Sequence, residues 1–217
     1  DRPKVSSKKE VLEFVVERVL PEFLGVEEPT WIDEVTFLDE DKLIKQRAEI
    51  DKKLSEYRRW KMLLYGIGLP LQRIVFEALQ KMGLKVWEPE EKDKHDLEVE
   101  LATNVIGVIE VTGSKRRINY EPLNSLLSYT VYVKKEKYPD MTVKGILIGN
   151  PEHNKPLEER DGKGFTDVAI EIAERNDFCL IRTLALYRLL EQHLSGELDI
   201  SELKRMIIET KGLFTLE

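Results

Sequence analysis

DLEVELATNVIGVIEVTGSK, residues 96–115, reads as two short strands joined by a turn, with acidic side chains set among apolar ones. In DLEVEL, residues 96–101, the alternation is strict: Asp96, Glu98 and Glu100 take one face and Leu97, Val99 and Leu101 the other. Thr103 and Asn104 supply the turn, and VIGVIEV, residues 105–111, supplies the second strand. Glu110 stands among Val108, Ile109 and Val111, and Thr112 shares its face by the same period of two. If the two strands form a hairpin, Asp96 and Glu110 lie close together.

Two carboxylates held together raise each other's pKa and destabilise the fold unless a cation sits between them, so a divalent metal is the natural explanation of the pair. Mg²⁺ prefers few carboxylates together with waters and phosphate oxygens, which suits phosphodiester hydrolysis. The competing reading makes Asp96 a strand-end acid and Glu110 a satisfied structural glutamate.

Upstream, LKVW at 84–87 reads as a further strand, preceded by a helix that Pro70 opens and Gly83 stops just after Met82. GIGLP, from Gly66, breaks that helix from a long one over 40–65, which contains neither Pro nor Gly. Positions 43, 47, 50, 54, 57, 61 and 64 of the long helix step by four and three and hold Leu, Arg, Ile, Leu, Tyr, Lys and Leu, a coiled-coil-like seam. That seam packs on its own chain or serves as a dimerisation arm. A first helix is expected over 7–20, with Ser7 and Glu10 at capping-box spacing and Val11, Leu12, Val15, Val16 and Val19 on one face, followed by a loop around Trp31.

Downstream, the patterns give a helix from Pro122 to Lys135, a buried strand VKGILIG at 143–149 and a polar loop at 150–163. A helix over 166–175, the strand FCLIR, a helix from Thr183 to Leu194 and a last helix near 201–209 follow, ahead of GLFTL. This order implies an α/β protein with a mixed central sheet and helices on its faces. Three regions are expected: an N-terminal helical region at 1–65, an α/β core at 66–194, and a C-terminal helix and tail at 195–217.

The 217 residues carry 41 acidic against 34 basic side chains, a net charge of −7, so any nucleic-acid contact must be local. Hydrophobic content of 41% is enough for a core, and a charged fraction of 35%, mainly Glu and Lys, is a hint of thermophile composition. The single cysteine, Cys179, lies in FCLI, where a buried inert thiol is expected, consistent with a cytoplasmic location. Neither a membrane span nor a basic-then-apolar leader is expected. The first residue is Asp1 rather than methionine, so a trimmed chain or a piece of something longer is expected.

Asp96, a gap of 13 residues and then Glu110-Val111-Thr112-Gly113-Ser114-Lys115, preceded by a helix and followed by helix, strand, helix and strand, resembles the PD-(D/E)xK nuclease superfamily, which includes restriction endonucleases and archaeal Holliday-junction resolvases. The resemblance covers roughly residues 66–194. It implies a restriction-endonuclease-like fold, DNA as substrate, Mg²⁺ or Mn²⁺ as cofactor, and a homodimer where both strands of a duplex are cut. Asp96 and Glu110 would be metal ligands, with the backbone carbonyl of Val111 as a third. The family's lysine position holds Thr112, and Lys115, just past the Gly113 turn, is the candidate to orient the attacking water, because members of the superfamily relocate that lysine. Glu77 is the candidate for the family's carboxylate on the first core helix, unless Gln72 occupies that position.

Lys115, Arg116 and Arg117 form the candidate DNA-binding cluster. Lys134, Lys135 and Lys137 equally suit a helix C-terminus, and Tyr120 is expected to pack rather than stack. His95, His153 and His193 show no zinc spacing, and neither a dinucleotide loop, a P-loop nor a G-x-S-x-G nucleophile is present. Asn150, Pro151 and Arg160 either flank the site or are plain turn chemistry. A second reading keeps the fold without the chemistry: a degenerate nuclease domain whose acidic surface engages a protein partner or nucleic acid. A third makes the chain a structural module of a larger assembly.

Overall fold

A computed structural model describes residues 8–16, 29–37, 39–90 and 95–216. The chain divides into two compact units, Asp1–Lys52 and Lys53–Glu217. The first contains helix α1 (Lys8–Phe14), a 3-10 turn at Ile32–Glu34 and the start of helix α2 (Glu40–Trp60). Ser7 and residues 17–20 of the expected first helix lie outside the described residues. The long helix expected over 40–65 is interrupted at Lys61, after which helix α3 (Met62–Tyr65) continues to Gly66. Along its seam, Leu43, Ile50, Leu54 and Tyr57 are between 51% and 62% exposed. Burial starts only at Trp60 and Leu63.

The second unit is a six-stranded sheet in the order β1-β2-β3-β4-β5-β6. Helix α4 (Gly68–Lys81) ends where Gly83 adopts φ +85°, the left-handed residue that closes a helix and turns the chain into β1 (Lys85–Trp87). β1, β2 (Leu97–Ala102) and β3 (Val105–Gly113) pair antiparallel, with Thr103 and Asn104 as the turn between the last two. Helix α5 (Glu121–Tyr132), extended by a π-turn at Val133–Lys137, carries the chain back to β4 (Thr142–Asn150), parallel to β3. Helix α6 (Asp167–Arg175) does the same for β5 (Cys179–Arg182). Helices α7 (Thr183–Ser195) and α8 (Ile200–Glu209) then lead to β6 (Gly212–Leu213), a parallel edge strand within GLFTL that the sequence pattern does not announce.

Both faces of the sheet are covered, as a largely parallel sheet requires. On one, Leu97, Val99, Ile109 and Val111 pack with Leu71, Ile74 and Val75 of α4, Leu186 and Leu189 of α7, and Leu203 of α8. On the other, Val108, Leu147 and Leu180 pack with Leu123 and Leu126 of α5 and Ala169 and Ala173 of α6. Cys179 is buried in the first layer, and burial pushes its thiol up to about 12, so it is an inert core residue.

Candidate functional site

The hairpin brings the Asp96 charge to bear on Glu110. Leu97 pairs with Ile109, and the Asp96 N–H also donates to the Ile109 carbonyl at 3.2 Å, so Asp96 sits at the end of the ladder next to Ile109, near enough to Glu110 for its charge to act there. Asp96 stands where the ladder ends. Its Oδ1 accepts from Gln72 Nε2 on α4 at 2.6 Å, and its Oδ2 accepts from the Val111 N–H at 2.6 Å. The backbone groups of alternate strand residues point to the same side, so the Val111 carbonyl looks toward Asp96 as the Ile109 carbonyl does.

Both carboxyls are half-buried. Burial raises the Asp96 pKa, against the pull of the Val111 N–H, the His95 charge and the Gln72 amide. Glu110 is pushed up to about 8, by burial first and by the Asp96 charge second, and no donor among the described residues relieves it. Like charges held close together in a partly buried site are destabilising. The pair therefore has an electrostatic cause to take a cation. Among the described residues no group of three or more His, Cys, Asp or Glu side chains converges to hold a metal. A cation here would rest on two carboxylates, the Val111 carbonyl and oxygens from solvent or phosphate, the sparse donor set that suits Mg²⁺.

The helix residue that meets Asp96 is Gln72, not Glu77. Glu77 is engaged by Arg59 and by Arg73, the latter at 3.3 Å. Five residues along a helix turn it by about 140°, so the two side chains leave α4 in different directions. Thr112 lies on β3 level with Gly149 of β4 and carries no charge. Lys115, Arg116 and Arg117 are exposed beyond the end of β3. The Lys115 charge acts on His153, lowering its pKa after burial has done so, and does not feature among the charges acting on Asp96 or Glu110. Arg117 acts on Asp161 and Asp167.

The polar loop is a latch. Ser114 N–H donates to Asn150 O at 3.0 Å, and Asn150 Nδ2 donates to Gly66 O at 2.9 Å. Arg160 donates to Leu64 O at 2.8 Å and to His153 O at 3.2 Å. Asn150 and Arg160 thus bind the loop to the Leu64–Gly66 junction, the structural alternative of the two readings. Tyr120, expected to pack, is 45% exposed.

One feature escapes sequence reasoning. Glu98, on the same strand face as Asp96, is fully buried and accepts from Trp87 Nε1 at 3.0 Å, His95 Nε2 at 2.9 Å, Lys137 Nζ at 3.0 Å and Tyr138 OH at 2.9 Å. Burial pushes its pKa up, but hydrogen bonds from His95, Lys137 and Tyr138 outweigh it and hold the carboxyl at about 2. Lys137 is therefore a partner of Glu98 rather than a simple helix-end cation. A mid-strand glutamate in a sheet covered on both faces is the signal that finds it, because such an acid must recruit donors. Tyr129 of α5 completes the surroundings: its ring lies 5.9 Å from that of His95, and burial and the charges of Glu110 and Asp96 raise its pKa.

The six-stranded mixed sheet flanked by helices is a restriction-endonuclease-like fold. No known family profile matches the chain. No curated protein matches it either. Among solved structures it is similar to the restriction endonuclease FokI bound to DNA, at 12% identity and a TM-score of 0.55 over 88% of this chain and 36% of that one. It is also similar to a second structure of the restriction endonuclease FokI, at 11% identity and a TM-score of 0.50 over 68% of this chain and 28% of the other. At those identities the likeness is one of fold, and the chain spans about a third of the length of the endonuclease chains it matches. No described helix is long and apolar enough to cross a membrane.

Proposed function

We propose that this protein is a metal-dependent nuclease that hydrolyses DNA phosphodiester bonds, with its active core in residues 66–194 and in the cytoplasm. The observation that carries the reading is the acid pair: Glu110 under the charge of Asp96 at the end of the β2–β3 ladder, with Asp96 held by Gln72 and Val111. The likeness to a DNA-bound restriction endonuclease supports it at the level of fold. Asp96, Glu110 and the Val111 carbonyl would hold Mg²⁺ or Mn²⁺, which when bound lowers the pKa of a coordinated water and neutralises charge growing on the phosphate. Gln72 holds Asp96 in place. Lys115, Arg116 and Arg117 contact backbone phosphates, and Lys115 in addition donates a hydrogen bond to the attacking water, a role lost if Lys115→Ala leaves turnover unchanged. Glu77, tied to Arg59 and Arg73, would act only by bracing α4.

The exposed Leu43, Ile50, Leu54 and Tyr57 stripe of α2 supports a homodimer that brings two sites to one duplex. A monodisperse monomer at high concentration in sedimentation would remove that part. The second reading, a nuclease fold without chemistry that binds a protein partner or nucleic acid, draws on Thr112 and the net charge of −7.

The deciding experiment is cleavage of plasmid, single-stranded and branched DNA with Mg²⁺ or Mn²⁺, beside Glu110→Ala and a chelator control. The nuclease reading expects metal-dependent cutting that both controls abolish. Failure to cut any substrate, with no cation binding by calorimetry, overturns it in favour of the binding module.

A further inference from the structure

Lys115, Arg116 and Arg117 are exposed, and their side chains form no ion pair or hydrogen bond among the described residues. The main chain beneath them is nevertheless fixed. At the start of the turn, Ser114 donates its N–H to Asn150 O at 3.0 Å and accepts at its carbonyl from the His153 N–H at 3.2 Å. In the middle, the Arg116 carbonyl accepts from the Glu152 N–H at 3.3 Å. At the end, Ile118 donates to Gly164 O at 3.0 Å, accepts from the Thr166 N–H at 2.9 Å and forms an isolated parallel bridge with Phe165. The Ile118 and Phe165 side chains are buried, so packing anchors what the backbone bonds tie. Start, middle and end of the basic turn are thus fastened to one loop, residues 150–166.

Glu152 is the hub of that loop. It is only 7% exposed, and its backbone sits at φ +50°, a left-handed conformation uncommon for glutamate. One carboxylate oxygen accepts from Lys155 Nζ and the other from the Asp161 N–H. Asp161 in turn accepts from the Lys163 N–H at 2.8 Å and the Gly164 N–H at 3.1 Å, which sets the Gly164 carbonyl that receives Ile118. Gly164 is at φ +72°, and a Cβ there would come within 2.7 Å of Pro151 and 2.9 Å of Arg182, so only glycine fits. The Glu152 charge works against a polyanion, whereas its bonds hold the middle of the turn directly and the end through Asp161 and Gly164.

From these contacts we propose that the 150–166 loop preorganises the basic turn for a nucleic-acid backbone, with Glu152 as the positioning residue of the phosphate contact. This role rests on the reading of Lys115, Arg116 and Arg117 as the DNA contact. A turn fixed before binding loses less conformational freedom when phosphates dock, so three cations on it bind more tightly than the same three on a loose loop.

Duplex binding by fluorescence anisotropy with chelator present, beside amide hydrogen exchange by NMR, tests the role. In Glu152→Ala, the His153 and Ile118 amides should lose protection while the paired amides of β3 and β4 keep theirs. DNA should bind about five- to tenfold more weakly at one salt concentration, with the salt dependence unchanged because the three cations remain. Charge alone predicts the opposite sign, since removing an acid near the contact strengthens binding to a polyanion. Glu152→Gln keeps an acceptor for the Asp161 N–H and should restore wild-type affinity or slightly exceed it. If Glu152→Ala does not fold, Glu152→Gly, which suits the left-handed backbone, takes its place.

Unchanged or tighter binding in Glu152→Ala, in a protein whose binding is lost when Lys115, Arg116 and Arg117 become alanine, overturns the positioning role and leaves the DNA contact standing. So does a fall in affinity without loss of protection at His153 and Ile118, or a lower melting temperature with affinity unchanged, which assigns Glu152 to stability alone. Wild-type protein that binds no DNA, or that binds as well after the triple replacement, removes the phosphate contact itself and this role with it.

Discussion

A carboxyl held at about 8 is mostly protonated at neutral pH, and Glu110 is in that position because it is buried and faces the Asp96 charge. Its pKa is raised on folding, so its contribution to stability is full below the ordinary value of 4.5 and is lost as pH rises through about 8. Glu110→Gln keeps the shape and removes the ionisation. Without divalent cations, its thermal midpoint should match wild type near pH 4 and exceed it increasingly from pH 6 to 9, and adding Mg²⁺ should raise the wild-type midpoint alone. Parallel melting curves for the two proteins at every pH would refute the assigned strain. Gln72 offers the converse change. Gln72→Glu sets a third carboxylate against Asp96, so it should lower the cation-free melting temperature and tighten Mn²⁺ binding in calorimetry, because affinity at oxygen sites rises with ligand charge. The acid pair was legible in the sequence because a period of two fixes which residues share a face. Choosing between Gln72 and Glu77 was not, because the phase of α4 against the sheet is set by the packing of Leu71, Ile74 and Val75 and not by any local pattern.

At the scale of elements, the hairpin, the first core helix and the crossover helices announce themselves through Gly83, the Thr103–Asn104 turn and hydrophobic period, and the structure agrees with each to within a few residues. β6 was hidden because two residues carry no period; pairing with β5 alone makes Gly212–Leu213 a strand. The junction between β2 and the turn after α5 was hidden for another reason. Lys137 and Tyr138 meet Glu98 across about forty residues of chain, 39 and 40 apart, and nothing local encodes that meeting. Its energetic weight can be measured. Glu98→Ala leaves Lys137 without its carboxylate, and breaking a buried ion pair from one side costs roughly 3–5 kcal/mol, so urea unfolding should show a loss of that order. Lys85→Ala, which removes an exposed pair with Glu100 on the neighbouring strand, should cost only a small fraction of that. The Glu98 pKa is depressed, so its contribution is present above the ordinary 4.5 and is lost as pH falls toward about 2. Equal losses for the two variants would show that Glu98 is solvated in solution and that the network does not hold the strand.

For the whole molecule, a net charge of −7 sets long-range repulsion against any polyanion, and binding must come from a patch strong enough at short range to overcome it. Lys115, Arg116 and Arg117 are exposed together just beyond the end of β3, the strand that carries Glu110. Three phosphate contacts release counterions in proportion, so the logarithm of the DNA association constant should fall with the logarithm of salt at a slope of about −2.7 for duplex and about −2 for single strands. Repulsion from the acidic remainder keeps the affinity low at any one salt concentration, so the slope is the informative quantity. It is measured by fluorescence anisotropy with chelator present, so that cutting does not intervene. Replacing all three residues with alanine should flatten the slope toward zero, whereas Glu110→Gln should leave the slope unchanged and, because Glu110 is mostly protonated at neutral pH, alter the affinity little. A slope that survives the triple replacement would move the DNA contact to another surface, and the basic turn would then serve only to carry the chain from β3 to α5, hydrogen-bonded on the way to Asn150 and Glu152 of the latch loop.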